Sequence, residues 1–149
     1  MIVQDKLQKF IIKQASLFHD IGKLGVDFGI VKKPAPLTKD EWTQMRRHPN
    51  IGANIAKRSG FLKDPIPSII KYHHVKYNGG GYPLTKKKRG TIPIEARILA
   101  VADAYEAMRS DRPYRKGLSR DKAILELKKF SGTQFDPKVV QSLLKCLKT

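Results

Sequence analysis

All four histidines of this chain occupy positions from which they could ligate metal: His19 beside Asp20, a single His48, and the adjacent pair His73 and His74. None is left over for an ordinary structural role. Asp103, in Val101-Ala102-Asp103-Ala104-Tyr105, adds a carboxylate to an apolar helical stretch, where burial without a partner is costly. Together these six side chains supply nitrogen and oxygen donors for two metal ions, in a spacing no zinc finger uses. The chemistry they suit is metal-assisted hydrolysis. Lys23, four residues after His19, adds an ammonium placed to hold a phosphate oxygen.

The elements that must position these residues are helical. Apolar spacing follows the helical period almost throughout, and no segment sustains the two-residue alternation of a half-buried strand. This predicts an all-α fold of about six to seven helices. The first carries Leu7, Phe10, Ile11, Ala15 and Phe18 on one stripe and runs into His19-Asp20, with Gly22 and Gly25 stopping it. Thr38-Lys39-Asp40-Glu41 is a capping-box start for a second, expected to turn Trp42 and Met45 toward the core and to end near His48. Pro49 opens a third, with Ile51, Ile55 and Ala56 inward and Gly60 beyond its end. Asp64-Pro65 is read as the N-cap and first turn of a fourth, which ends at His73-His74. A helix from about Pro93 holds Ile94, Ile98, Val101, Ala102, Tyr105 and Met108 inward, with Asp103 embedded. Two more follow Ser119 and Asp136-Pro137, the last with Val139, Val140, Leu143, Leu144 and Leu147 as its stripe. Neighbours on a helix diverge by about 100°, so His19 and Asp20 are expected to straddle two metals, the carboxylate bridging both through its two oxygens and the imidazole completing one shell.

Composition narrows the setting. The chain has 149 residues, of single-domain size, and no repeat or linker divides it. Its net charge of +17 favours polyanionic ligands without choosing among them. The densest basic run, Lys86-Lys87-Lys88-Arg89, lies among turn residues and reads as a solvated loop, and a nucleic-acid partner is not expected. The single Cys146 excludes an intrachain disulfide and reads as a buried small hydrophobe. No transmembrane run or signal peptide is evident, and the expected location is cytoplasmic.

The ordered motifs His19-Asp20-Ile21-Gly22-Lys23, Arg47-His48-Pro49-Asn50-Ile51-Gly52, Tyr72-His73-His74, Gly81-Tyr82-Pro83, Asp103-Ala104-Tyr105, Ser110-Asp111-Arg112-Pro113-Tyr114-Arg115 and Gly132-Thr133-Gln134-Phe135-Asp136-Pro137 closely resemble the HD-GYP family of bacterial phosphohydrolases. The resemblance covers about residues 7 to 145. It implies an HD-domain helical bundle with an exposed GYP loop and two divalent metal ions, iron or manganese. It also implies hydrolysis of cyclic di-GMP to pGpG, GMP or both, through attack by a metal-bridging hydroxide. Carried over by position, His19, Asp20, His48, His73, His74 and Asp103 match metal ligands. Asp20 and Lys23 match the catalytic pair, and Lys23, Gly81, Tyr82, Pro83, Arg112 and Arg115 match the substrate side. Planar guanidinium groups at Arg112 and Arg115 suit phosphates or guanines. GGDEF-domain proteins and receiver or sensor domains are the partners the resemblance implies.

One departure stands out. The family has a further helix upstream that supplies another histidine ligand, whereas here eighteen residues precede His19 and no fifth histidine exists. Residues 1–149 are therefore expected to form one HD-GYP domain without that helix, which weighs against a third metal. The alternative function is a catalytically impaired HD-GYP signalling module that binds cyclic di-GMP or a protein partner.

Overall fold

The computed structural model describes residues 5–111 and 115–147. Within them the chain forms eight α-helices: α1 (Lys6–Phe18), α2 (Phe28–Lys32), α3 (Lys39–Met45), α4 (His48–Ser59), α5 (Ile66–Tyr72), α6 (Ile94–Arg109), α7 (Arg120–Lys129) and α8 (Pro137–Cys146). Two 3-10 turns, Ile21–Gly25 and Arg89–Thr91, complete the list. No strand forms among the described residues, and the all-α expectation holds. The count reaches eight because Asp27 caps one additional short turn, accepting from the Gly29 and Ile30 amides to start α2.

Most helix starts follow their capping residues. Thr38 and Glu41 form the reciprocal capping box of α3, Ser119 caps α7, and Asp136 caps α8. Gly60 closes α4 in the left-handed conformation. The Asp64-Pro65 start differs from expectation: Pro65 itself holds the cap position of α5, and no side chain caps the helix.

Two apolar clusters organise the bundle. The first joins Ala15 of α1, Ala56 of α4, Ile66, Ile69 and Ile70 of α5, and Ala96 and Leu99 of α6. The second joins Val101 of α6, Leu127 of α7, and Phe135, Val139 and Val140 at the start of α8. Helix α6 crosses from one to the other. Arg97 of α6 pairs with the buried Asp136 carboxylate, tying the start of α8 to the same helix.

Several burial expectations fail, each for a local reason. Trp42 and Ile55 are exposed rather than inward. Helix α3 is only about two turns long, and α4 packs through the small residues Gly52, Ala53 and Ala56, leaving Ile55 on the outer face. Ala102 is exposed on α6, and Cys146 is exposed where the last turn of α8 meets solvent.

A candidate metal centre in a two-lobed cleft

Helix α1 ends at Phe18, one residue before the first ligand, so His19 is its C-cap and Asp20 has already left helical geometry, with φ −96° and ψ 2°. That departure corrects the expected divergence of the pair. His19 Nε2 lies 3.5 Å from Asp20 Oδ2, and one donor from each of His19, Asp20 and His73 lies within 4.8 Å of the others. The 3-10 turn that follows packs directly on α4. A Cβ on Gly22 would stand 1.9 Å from the His48 carbonyl oxygen and 2.4 Å from the Gly52 amide nitrogen, so only glycine permits this approach. The turn carrying Asp20 and the helix carrying His48 are thereby held in register.

His48 is the first residue of α4, and His73 is the C-cap of α5. Three imidazoles share one local device: Nδ1 of His19, His48 and His73 faces the carbonyl three residues earlier, at Ser16, Met45 and Ile70, over 2.8, 2.8 and 2.6 Å. A carbonyl oxygen only accepts, so each Nδ1 carries the hydrogen and each Nε2 of a neutral ring presents a lone pair. These lone pairs converge. His48, His73 and His74 form a second group with ligand atoms within 4.8 Å of one another.

The Asp20 carboxylate stands between the histidines. Its Oδ1 lies 3.4 Å from His48 Nε2, and its Oδ2 is 3.5 Å from His19 Nε2 and 2.6 Å from Lys23 Nζ. Asp103 approaches His19 Nε2 from α6, at 3.6 Å.

The protonation preferences agree with this arrangement. Burial lowers the pKa of His48, brings His73 down to about 4, and brings His74, beside the other imidazoles, down to about 2. These rings remain neutral ligands through the neutral range. His19 is raised, chiefly by the Asp103 carboxylate beside its ring. Burial by itself would raise Asp103, but the adjacent His19 ring and the other imidazoles outweigh it and the carboxyl is lowered.

The residues fit divalent metal. Nε2 of His48 and Nε2 of His73 are buried without a hydrogen-bond partner, an arrangement costing about 1–3 kcal/mol for each group if nothing satisfies it. For neutral His48, a lone pair faces a carboxylate oxygen, acceptor against acceptor. Burial disfavours the proton that would relieve this, and a cation relieves it directly.

The loop after α5 closes over the cluster. Gly81, at φ 74°, bridges back to Val75, and a Cβ there would meet the His74 carbonyl oxygen at 2.2 Å. Glycine at this position seats Tyr82 against His74, with ring centroids 4.6 Å apart. Burial pushes the Tyr82 phenol up to about 12, so it stays neutral. The loop reaches solvent at Gly80 and Leu84 while Tyr82 turns inward. It is anchored to the Gly132-to-Pro137 motif, where the Tyr77 and Asn78 amides donate to the Gln134 and Thr133 carbonyls.

Two cavities meet at this wall. One, of about 470 Å³, is lined by Arg46, Lys76, Gln134 and Phe135 together with the histidine pair. The other, of about 510 Å³, is lined by Lys23, Lys33, Trp42, Met45 and Glu106 together with His19, Asp20 and His48. Both share His74, Tyr82 and Asp103. Six expected ligands and Lys23 are thus brought to one cleft, with Gly81 and Tyr82 on its wall. Pro83, joined to Tyr82 by a cis peptide, lines neither lobe. Arg115 is exposed, and its Nη2 donates to the carbonyl of Ala107, a residue of the larger lobe. Arg112 lies outside the described residues.

Trp42, Arg46 and Gln134 were not expected at the site. The signal for the first two was the four-residue spacing in α3, which brings the Arg46 guanidinium within 5.8 Å of the Trp42 ring. Among the described residues, no helix is long and apolar enough to cross a membrane.

Comparison with known proteins agrees with this picture. A family model described as an HD domain matches residues 3–139. The chain is 39% identical over 136 residues to the cyclic di-GMP phosphodiesterase response regulator RpfG of Xanthomonas campestris, covering 91% of this chain and 36% of that protein. It is 40% identical over 138 residues to a cyclic di-GMP phosphodiesterase of Thermotoga maritima, covering 90% of this chain and 36% of the relative. A 3′3′-cGAMP-specific phosphodiesterase of Vibrio cholerae is 36% identical over 135 residues, covering 90% and 26%. The chain therefore spans about a third of the length of the relatives it matches. In fold, it superposes on the crystal structure of a cyclic GMP-AMP-specific phosphodiesterase of V. cholerae with a TM-score of 0.74 at 17% identity, over 99% of this chain and 40% of that one.

Proposed function

This chain belongs to the HD-GYP family of HD domains, and we propose that it is a metal-dependent phosphodiesterase that hydrolyses cyclic di-GMP to pGpG, GMP or both. The observation that carries this reading is the convergence of two ligand groups, His48-His73-His74 and His19-Asp20-His73, at the junction of two lobes. In this assignment His48, His73 and His74 would hold one ion, while His19 would hold the other with Asp103 beside it, His73 lying within reach of both. Asp20 offers one oxygen to each side. Iron and manganese both suit this mixed imidazole and carboxylate set.

When bound, divalent metals supply an ionised water at neutral pH and neutralise charge on the phosphoryl oxygens. Neither lobe is lined by serine, threonine or cysteine among the described residues, and the Tyr82 phenol is held neutral by burial, so this lining offers no activated hydroxyl or thiol nucleophile. Asp20 orients and shares its charge with the neighbouring Lys23 ammonium. Lys23 Nζ, on the same carboxylate oxygen that faces His19, holds a nonbridging phosphate oxygen as charge develops. Tyr82, neutral and packed against the tilted His74 ring, forms the partition between lobes, each of a size for one nucleotide. The surplus of basic residues steers the anionic substrate inward.

The test is chromatography of products after the manganese- or iron-loaded protein is incubated with cyclic di-GMP. Linear pGpG or GMP is expected, and Asp20→Ala is expected to remove at least about a hundredfold of the rate with the fold retained. A protein that holds two metals and binds cyclic di-GMP without turnover would be a signalling module instead.

A further inference from the structure

The larger lobe carries a feature that the chemistry at phosphorus leaves unused. Trp42 is the chain's single tryptophan and is 43% exposed, although burial is the usual fate of so large an apolar ring. Ile30, Val31, Leu37 and Met45 give the lobe an apolar lining beside Trp42, in the same cavity as His19, Asp20 and His48. The Arg46 guanidinium stands 5.8 Å from the Trp42 ring and 6.0 Å from the Tyr82 ring, so one cation braces both aromatic walls. Glu106 adds a carboxylate to this apolar and basic lining, its Oε1 accepting from the Ser110 hydroxyl and its Oε2 open among the described residues.

A planar, uncharged group with a hydrogen-bonding edge matches such a lining. Purine faces stack on aromatic rings whatever their substituents, whereas a carboxylate accepts from two neighbouring donors. Guanine presents N1–H and N2–H₂ side by side, and adenine does not. We propose that this lobe is a nucleobase subsite, in which Trp42 stacks one base of the cyclic dinucleotide and Glu106 selects guanine. The subsite rests on the phosphodiesterase reading, since it assigns the base of that substrate.

Because Trp42 is the only tryptophan, its emission reports the lobe directly. The manganese-loaded chain is titrated with GMP, with AMP, and with ribose 5-phosphate as a base-free control. GMP is expected to quench the emission saturably, AMP to bind at least about threefold more weakly, and ribose 5-phosphate to leave the emission unchanged. By calorimetry, Trp42→Ala is expected to weaken GMP binding about tenfold, while Trp42→Phe keeps it within about threefold because a ring remains. Saturable GMP binding without a change in emission, or a Trp42→Ala variant that binds GMP as tightly as the parent, overturns the subsite and leaves the phosphodiesterase reading standing. Equal affinity for AMP and GMP overturns the role of Glu106. Failure of both cyclic di-GMP and GMP to bind overturns the subsite together with the reading it rests on.

Discussion

The two apolar clusters support the cleft in different ways. The first, beneath α1, α4 and α5, carries His19, Asp20, His48, His73 and His74 at its edge, whereas the second contributes Asp103 and the wall at Gln134 and Phe135. Around the first, backbones meet without side chains between them, as Gly22 does against His48 and Gly52. The second is held by side chains, with Leu127 fully buried among Phe135, Val139 and Val140. Ligand geometry is therefore set by close backbone contact on one side, and the cleft wall by ordinary apolar packing on the other. The first arrangement cannot relax around an added atom; the second loses energy but keeps its shape.

Gly22→Ala should break the comparison most severely. A methyl group cannot be accommodated 1.9 Å from a carbonyl oxygen, so the 3-10 turn must leave α4 and separate Asp20 from His48. We expect a loss of more than about 4 kcal/mol of stability, read by denaturant unfolding, and loss of metal in elemental analysis of whatever remains folded. A variant that retains its full metal content would show that the close approach does not position the ligands.

Leu127→Ala should cost about 2–5 kcal/mol through the cavity it leaves in the second cluster. Metal content should stay that of the parent, because no ligand rests on α7. Co-purifying metal that falls in proportion to stability would erase the distinction between the clusters.

Chelation is the mildest of the three perturbations. Metal at about a hundred times its dissociation constant stabilises the native state by about 2–3 kcal/mol, and stripping it should lower the melting temperature accordingly. The shift should be of similar size in the parent and in Leu127→Ala, since distant and independent effects add, and absent in Gly22→Ala. Scanning calorimetry with and without chelator reads all three.

Much of the site was legible before any coordinates. The six candidate ligands and Lys23 were visible because their residue types and order carry chemistry of their own, and the Gly81-Tyr82 wall through the resemblance of its motif to the HD-GYP family. The caps of α3, α7 and α8 were equally visible, since capping depends on side chains within one turn of the helix start. Burial was less so. Trp42, Ile55, Ala102 and Cys146 were misplaced because periodicity identifies an apolar stripe but not which neighbours are present to cover it. That Asp20 could serve two sites was legible, but the approach of His19 to Asp20 was not: where α1 ends decides whether two adjacent side chains diverge or meet, and helix ends are set by what packs beyond them.

The amino-acid order by itself thus determined an all-helical chain, a metal-ligating inventory and membership of a phosphohydrolase family. Only the tertiary structure decided that Asp20 stands between two groups of imidazoles, that Tyr82 divides the cleft in two, and that Trp42 faces one lobe instead of the core. Residue identity and local spacing encode donors, caps and stripes, which act over a turn or two. Distances among His19, His48, His73 and Asp103 arise from helices packing across the chain, and no local pattern contains them.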